Sequence, residues 1–126
     1  MLIVKKAADE LLINEICAKY SMRADAGTGA YMVFDDYRLV GNCIYKIKGE
    51  DGMIIFADLN ITDNAQISDL VLRTVTDYMQ RSGVRTLKSY ANFPQSVYKS
   101  VGYTLTDSEA TVDLTDYTLP HPCGDK

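Results

Sequence analysis

The sequence predicts one mixed α/β domain: a mostly antiparallel sheet with one parallel strand pair and about three helices. Three observations lead there. Residues 29–60 hold three β-rich runs joined by very short links, which is the pattern of an antiparallel meander. At Asp63 the apolar period changes from two to about 3.6. A single helical stretch then separates the third β-rich run from the next one, so those two strands can pair in parallel through a crossover.

The elements follow in order. L-I-V-K at residues 2–5 reads as a short first strand. Between Asp9 and Tyr20, Leu12, Ile13, Ile16, Cys17 and Tyr20 fall on one stripe, the apolar face of a helix. The loop R-A-D-A-G-T-G ends it. G-A-Y-M-V-F-D and R-L-V-G-N-C-I-Y-K-I-K are separated only by Asp36 and Tyr37, which predicts a hairpin. In the second of these strands Leu39, Cys43, Tyr45 and Ile47 are expected to share a face. K-G-E-D-G turns the chain into M-I-I-F-A-D-L-N, the fourth strand.

Ile67, Leu70, Val71, Val75, Tyr78 and Met79 then recur at helical spacing. D-N-A-Q offers a start resembling a capping box, and Gly83 a stop. V-R-T-L-K-S-Y-A is the fifth strand. Pro94 suits the first turn of a short helix, P-Q-S-V-Y-K-S-V, closed by Gly102. Y-T-L-T and A-T-V-D-L are the last strands. Residues 1–116 are expected to form the domain and 117–126 a tail. Tyr31, Tyr37, Tyr45, Tyr78 and Tyr90 read as sheet or core residues.

Composition agrees with one folded domain: 126 residues, 47% hydrophobic and 24% charged. The 13 basic and 17 acidic residues give −4, and this excess lies entirely after residue 106, where five acids face one base. Residues 66–103 carry five bases against two acids, which favours an anionic ligand but is far too weak a footprint for nucleic acid. No apolar run approaches the ~20 residues of a membrane span, and Lys5 and Lys6 interrupt the only N-terminal apolar run. A cytoplasmic protein with neither a nucleic-acid nor a membrane partner is expected. Cys17 and Cys43 lie on apolar faces and read as buried small hydrophobes, whereas Cys123 has no assigned role. No ligand spacing for a metal occurs. The lone His121, between two prolines, gives no catalytic relay.

The informative stretch is S-Y-A-N-F-P-Q-S-V-Y-K-S-V-G-Y, residues 89–103. A strand, Asn92, a short helix carrying Tyr98 and then Gly102-Tyr103 resemble the C-terminal signature of the GNAT acyltransferase superfamily. The preceding I-S-D-L-V-L-R-T-V-T-D-Y-M-Q-R-S-G-V resembles that family's long helix, and the order of elements matches its fold over residues 2–115.

The resemblance implies acyl transfer from acetyl-CoA to an amine, without a metal. It implies that the co-substrate lies between the fourth and fifth strands, against Leu59, Asn60 and Ile61 and the N–H groups of Gln66, Ile67 and Ser68, with Asn92 and Tyr98 beside it. Tyr98 matches the acid that protonates the departing thiolate, and Asp58 the acid that deprotonates the amine through water. The family loop Q/R-x-x-G-x-G/A falls on Asp63, Gln66 and Ser68, so its basic residue and both glycines are absent. A GNAT-shaped binding or regulatory module without catalysis is therefore the competing expectation. The acceptor is expected to be a small-molecule or peptide amine. Ser21 to Gly29 is too short for a second helix, so an open acceptor side is expected, or one completed by a second copy of the chain in a homodimer.

Overall fold

The structure is a computed structural model that describes residues 1–59 and 65–120. Its order is β1 (Leu2–Lys6), α1 (Glu10–Lys19), β2 (Thr28–Asp35), β3 (Arg38–Lys48), β4 (Asp51–Leu59), α2 (Ala65–Arg81), β5 (Thr86–Ser89), α3 (Gln95–Val101), β6 (Thr104–Leu105) and β7 (Ala110–Asp113). The strands form one seven-stranded sheet in the order β1-β2-β3-β4-β5-β7-β6. Every pairing is antiparallel except β4 with β5, which run parallel across α2 as the single-helix crossover predicts.

Two apolar layers flank the sheet. On one face Ile67, Val71, Leu72, Val75 and Met79 of α2 and Val97, Tyr98 and Val101 of α3 pack on Val33, Cys43, Tyr45, Ile54, Leu87 and Val112. On the other, the α1 stripe read from the sequence meets Ala30, Ile44 and Phe56. Asp9 caps α1 by accepting the Leu12 N–H at 2.9 Å. Cys17 and Cys43 are both buried, and burial pushes the Cys43 thiol up to about 12.

Three details depart from the sequence reading. Val33 pairs with Gly41 but Phe34 with Leu39, so Val40 is an extra, bulged residue. The bulge shifts the face by one position: Val40 joins the core beside Cys43 and Tyr45, whereas Leu39 is exposed. Tyr37 is not a sheet or core residue. It forms the β2–β3 turn with Asp36, at φ 72° and 49°, left-handed values that suit a two-residue hairpin, and its side chain is exposed. Tyr90 is also exposed. By contrast Tyr31, Tyr45 and Tyr78 form a ring cluster with centroids 5.6–6.0 Å apart.

The chain beyond β7 stays on the α2–α3 face as far as Pro120. Gln80 donates to the Leu114 and Tyr117 carbonyls at 3.2 and 2.7 Å, and the Tyr117 hydroxyl donates to the Val101 carbonyl. Residues 117–120, expected to belong to a tail, thus pack on the body. The D-N-A-Q start of α2 has its first two residues outside the described residues, as are His121 and Cys123.

Candidate active site

The site begins with a mismatch in strand length. β4 and β5 pair from Asp51–Thr86 to Ile54–Ser89, where β5 ends, and β4 runs on to Leu59. The last bond across the pair is Tyr90 N–H to the Ile54 carbonyl at 2.9 Å. Ile55 then sits in a bulge of β4, because Tyr45 pairs with Ile54 and Ile44 with Phe56. A bulge bends its strand, and here it coincides with the point at which β4 leaves β5. Residues 55–59 therefore present a backbone edge that no described residue pairs with, the kind of edge to which an extended ligand can add as a strand.

Beside this edge is a cleft of about 120 Å³ lined by Ala57, Asp58, Leu59, Ser68, Asn92 and Phe93. Of the residues selected from the sequence, the fold brings Asp58, Leu59, Ser68 and Asn92 together here. Gln66 is exposed on the first turn of α2, and the Ile67 side chain lies in the core. Asn60, Ile61 and Asp63 lie outside the described residues. Ser68 is 1% exposed and its Oγ is buried with no hydrogen-bond partner among the described residues. A hydroxyl in a cleft wall can both donate and accept a hydrogen bond.

Tyr98 stands behind Phe93, with the two ring centroids 5.7 Å apart, and lines a neighbouring cleft with Ser89, Ala91 and Glu109. Its hydroxyl donates to the Ala91 carbonyl at 2.6 Å and lies 2.7 Å from Ser89 Oγ, which accepts the Ala91 N–H at 3.4 Å. Because the phenol has one proton and Ala91 holds it, Ser89 is the donor to Tyr98. The three bonds close a ring that begins and ends on Ala91. Burial raises the Tyr98 phenol above its usual range, against the opposing effect of Ser89, so it stays protonated at neutral pH. Since Ser89 is the last β5 residue paired to β4, this hydroxyl marks the branch point of the two strands.

Asp58 faces the α1 side of the sheet. Tyr20 Oη donates to its Oδ2 at 2.9 Å, and Asn42 Nδ2 donates to Tyr20 Oη at 2.9 Å. Neither Tyr20 nor Asn42 was selected from the sequence, where Tyr20 reads as the end of an apolar stripe. The one available signal was an asparagine inside residues 39–45 of β3, a run that holds no other polar side chain except the Tyr45 hydroxyl.

Arg73, a cation within the weakly basic segment, does not line the cleft. It pairs with Asp69 at 2.8 Å and donates to Ser100 Oγ at 3.1 Å and to the Pro120 carbonyl. On the α1 face no second helix follows α1, and a groove of about 490 Å³ lies open over the sheet beside the branch point, with Lys46, Met53, Lys88 and Tyr90 in its walls. Between α1 and β2 the chain forms no helix, and this face of the sheet is uncovered beside the groove.

No protein-family model and no curated protein matches the sequence. Solved structures do share its fold. An N-acetyltransferase from Staphylococcus aureus Mu50 is 10% identical with a TM-score of 0.64, over 90% of this chain and 98% of that one. A GNAT family acetyltransferase from Elizabethkingia anophelis with acetyl-CoA bound is 14% identical at 0.62, over 84% and 78%. The Campylobacter jejuni N-acetyltransferase PseH in complex with acetyl coenzyme A is 15% identical at 0.58, over 90% and 99%. The chain has the fold of the GNAT acetyltransferases, including their parallel strand pair within a mixed sheet.

Proposed function

We propose that this chain of GNAT fold is an acyl-CoA-dependent N-acyltransferase, acting on a small-molecule or peptide amine. The observation that carries the proposal is the splayed β4–β5 pair, whose cleft gathers the free edge of residues 55–59, the orphan Ser68 hydroxyl and Asn92. The residues present fit the co-substrate in kind. Backbone N–H and C=O groups of the free edge suit an amide-bearing arm, Ser68 Oγ supplies an unmet hydrogen bond, and the first turn of the 17-residue α2 offers N–H groups to an anion. When bound, acetyl-CoA supplies an activated acyl group as a thioester.

This chain's own residues then do three things. The core on the α2–α3 face closes one side of the branch point, so the acceptor enters across the open α1 face. Asp58, on that face, takes a proton from the amine through water, leaving the nitrogen lone pair free to attack. Tyr98 releases the proton it keeps on the Ala91 carbonyl to the departing thiolate, and the hydrogen bond from Ser89 stabilises the phenolate left behind. The neighbours described as acetyltransferases, two of them holding acetyl-CoA, support the same reading.

One observation favours a second reading, a GNAT-shaped binding module without catalysis. Among the described residues no lysine or arginine lines the β4–β5 cleft, and Arg73 is committed to Asp69, Ser100 and Pro120. A thiol-release assay with acetyl-CoA and a panel of primary amines separates the two. The enzyme reading expects amine-dependent thiol release that falls about 100-fold in Asp58→Asn. No release above the uncatalysed rate with any amine supports the binding module.

A further inference from the structure

We infer that Tyr20 is a positioning residue for Asp58, and that the buried Asn42 amide is built to let that pair hold or release one proton without rearranging the fold. The inference rests on the reading of Asp58 as the base. Asn42 and Asp58 are directly opposed on β3 and β4, and the Tyr20 hydroxyl reaches over from the end of α1 to touch both, each at 2.9 Å. Asn42 is 2% exposed, its Nδ2 donates to Tyr20, and its Oδ1 is buried with no partner among the described residues. A merely structural clamp between α1 and the sheet does not account for that orphan oxygen. A second proton arrangement does.

With Asp58 ionised, the proton order is Asn42 Nδ2–H to Tyr20 Oη, and Tyr20 Oη–H to Asp58 Oδ2, as observed. When Asp58 has taken a proton from the acceptor amine, its own O–H becomes a donor toward Tyr20 Oη. The Tyr20 proton must then find another acceptor. The Asn42 amide supplies it by turning about χ2, which exchanges Nδ2 for Oδ1 at the same position. Each arrangement has two hydrogen bonds and leaves one amide atom without a partner, so neither is strongly preferred. No bond other than O–H and N–H changes, and the only net transfer is one proton from the amine to Asp58.

The surroundings suit this. Burial raises the Tyr20 phenol, against the opposing hydrogen bond from Asn42 and with the nearby Asp58 carboxylate pushing the same way as burial, so Tyr20 remains a donor. Facing the network from α1 are Tyr20 and Lys19, whose ammonium lies 5.8 Å from the Tyr20 ring centroid. Asn42 faces it from β3, while Ser68 from α2 and Asn92 from the loop after β5 share the cleft with Asp58. Among the described residues Asp58 makes no ion pair, and the Tyr20 hydroxyl is the side-chain group that hydrogen-bonds it.

The test is the titration of the Asp58 carboxyl carbon by NMR in the full chain, in the parent and in Tyr20→Phe. Loss of a bond that favours the charged form raises the proton affinity, by about tenfold for one hydrogen bond to a charge. Asn42→Ser, which shortens the second arm, moves the midpoint in the same direction by less and serves if Tyr20→Phe is poorly folded. In kinetics, the acidic limb of kcat/KM moves with the carboxyl titration, while the alkaline plateau and the KM for acetyl-CoA keep their parent values. Coincident Asp58 titrations in the parent and both variants would overturn the inference and leave Tyr20 as a clamp. Undiminished turnover in Asp58→Asn removes the base role instead, and is recognisable because the carboxyl titration still responds to Tyr20.

Discussion

Removing the Tyr98 hydroxyl tests the packing and the chemistry of the branch point together. Tyr98→Phe keeps a ring between Phe93 and Tyr103, whose centroids lie 5.7 and 5.3 Å away, so little shape is lost. It opens the ring of bonds through Ala91 and Ser89, leaving the Ala91 carbonyl without its 2.6 Å donor and the Ser89 hydroxyl, 1% exposed, without its 2.7 Å acceptor. One neutral bond is worth about 1 kcal/mol, and an abandoned buried group costs about 1–3 kcal/mol. A loss of about 2 kcal/mol is expected, about 8 °C in Tm for a domain of this size. Ser89→Ala leaves the Tyr98–Ala91 bond in place and should cost about 1 kcal/mol. Because the two act in one ring, the double variant should be less damaging than the sum by about 1 kcal/mol in urea denaturation. The same Tyr98→Phe protein should turn over about 100-fold more slowly while binding acetyl-CoA as before. A stability loss under about 0.5 kcal/mol, or additivity of the two substitutions, would refute the hydrogen-bond ring. Unchanged turnover would refute the acid.

Two further outcomes test the body of the fold. A Cβ on Gly29 would lie 2.3 Å from Cζ and Oη of Tyr45, a ring held in the core beside Tyr31 and Tyr78, so Gly29→Ala should destabilise by about 1–3 kcal/mol in urea. Burial holds the Tyr31 and Tyr117 phenols at about 12 against an ordinary 10. Between those values the unfolded chain has released protons that the folded chain keeps, so stability is full below pH 10 and falls as pH rises through 12. Urea midpoints measured from pH 9 upward should decline in that window, and a flat profile would contradict the burial of these hydroxyls.

Periodicity was the most legible feature of the sequence. The α1 stripe, the α2 spacing and the short β2–β3–β4 links each depend on neighbours a few residues apart, and the crossover to β5 follows from one helix lying between two strands. Leu39 was misplaced because a bulge shifts register by a single residue, and nothing in R-L-V-G-N shows which position is extra. The direction of Arg73 was equally hidden, although Asp69 four residues earlier offered an ion pair on the same helix face. Within the site, Asp58, Leu59, Ser68 and Asn92 were readable because the family pattern ties them to strand ends and a helix start. Tyr20 and Asn42 were not. Their hydrogen bonds, Tyr20 to Asp58 and Asn42 to Tyr20, span 38 and 22 residues, and a tyrosine in an apolar stripe gives no sign of where its hydroxyl points.

We propose above that the splayed β4–β5 pair receives acetyl-CoA. Thermal unfolding of the full chain at rising acetyl-CoA tests it most directly, beside Asn92→Trp, which fills the cleft from an exposed position without entering the core. A cofactor seated in this cleft gives a stabilisation that grows with concentration, to about 2.7 kcal/mol at 100 times Kd, and that is lost in Asn92→Trp. An unfolding curve unmoved by millimolar acetyl-CoA, or one equally shifted in the Trp variant, would contradict it.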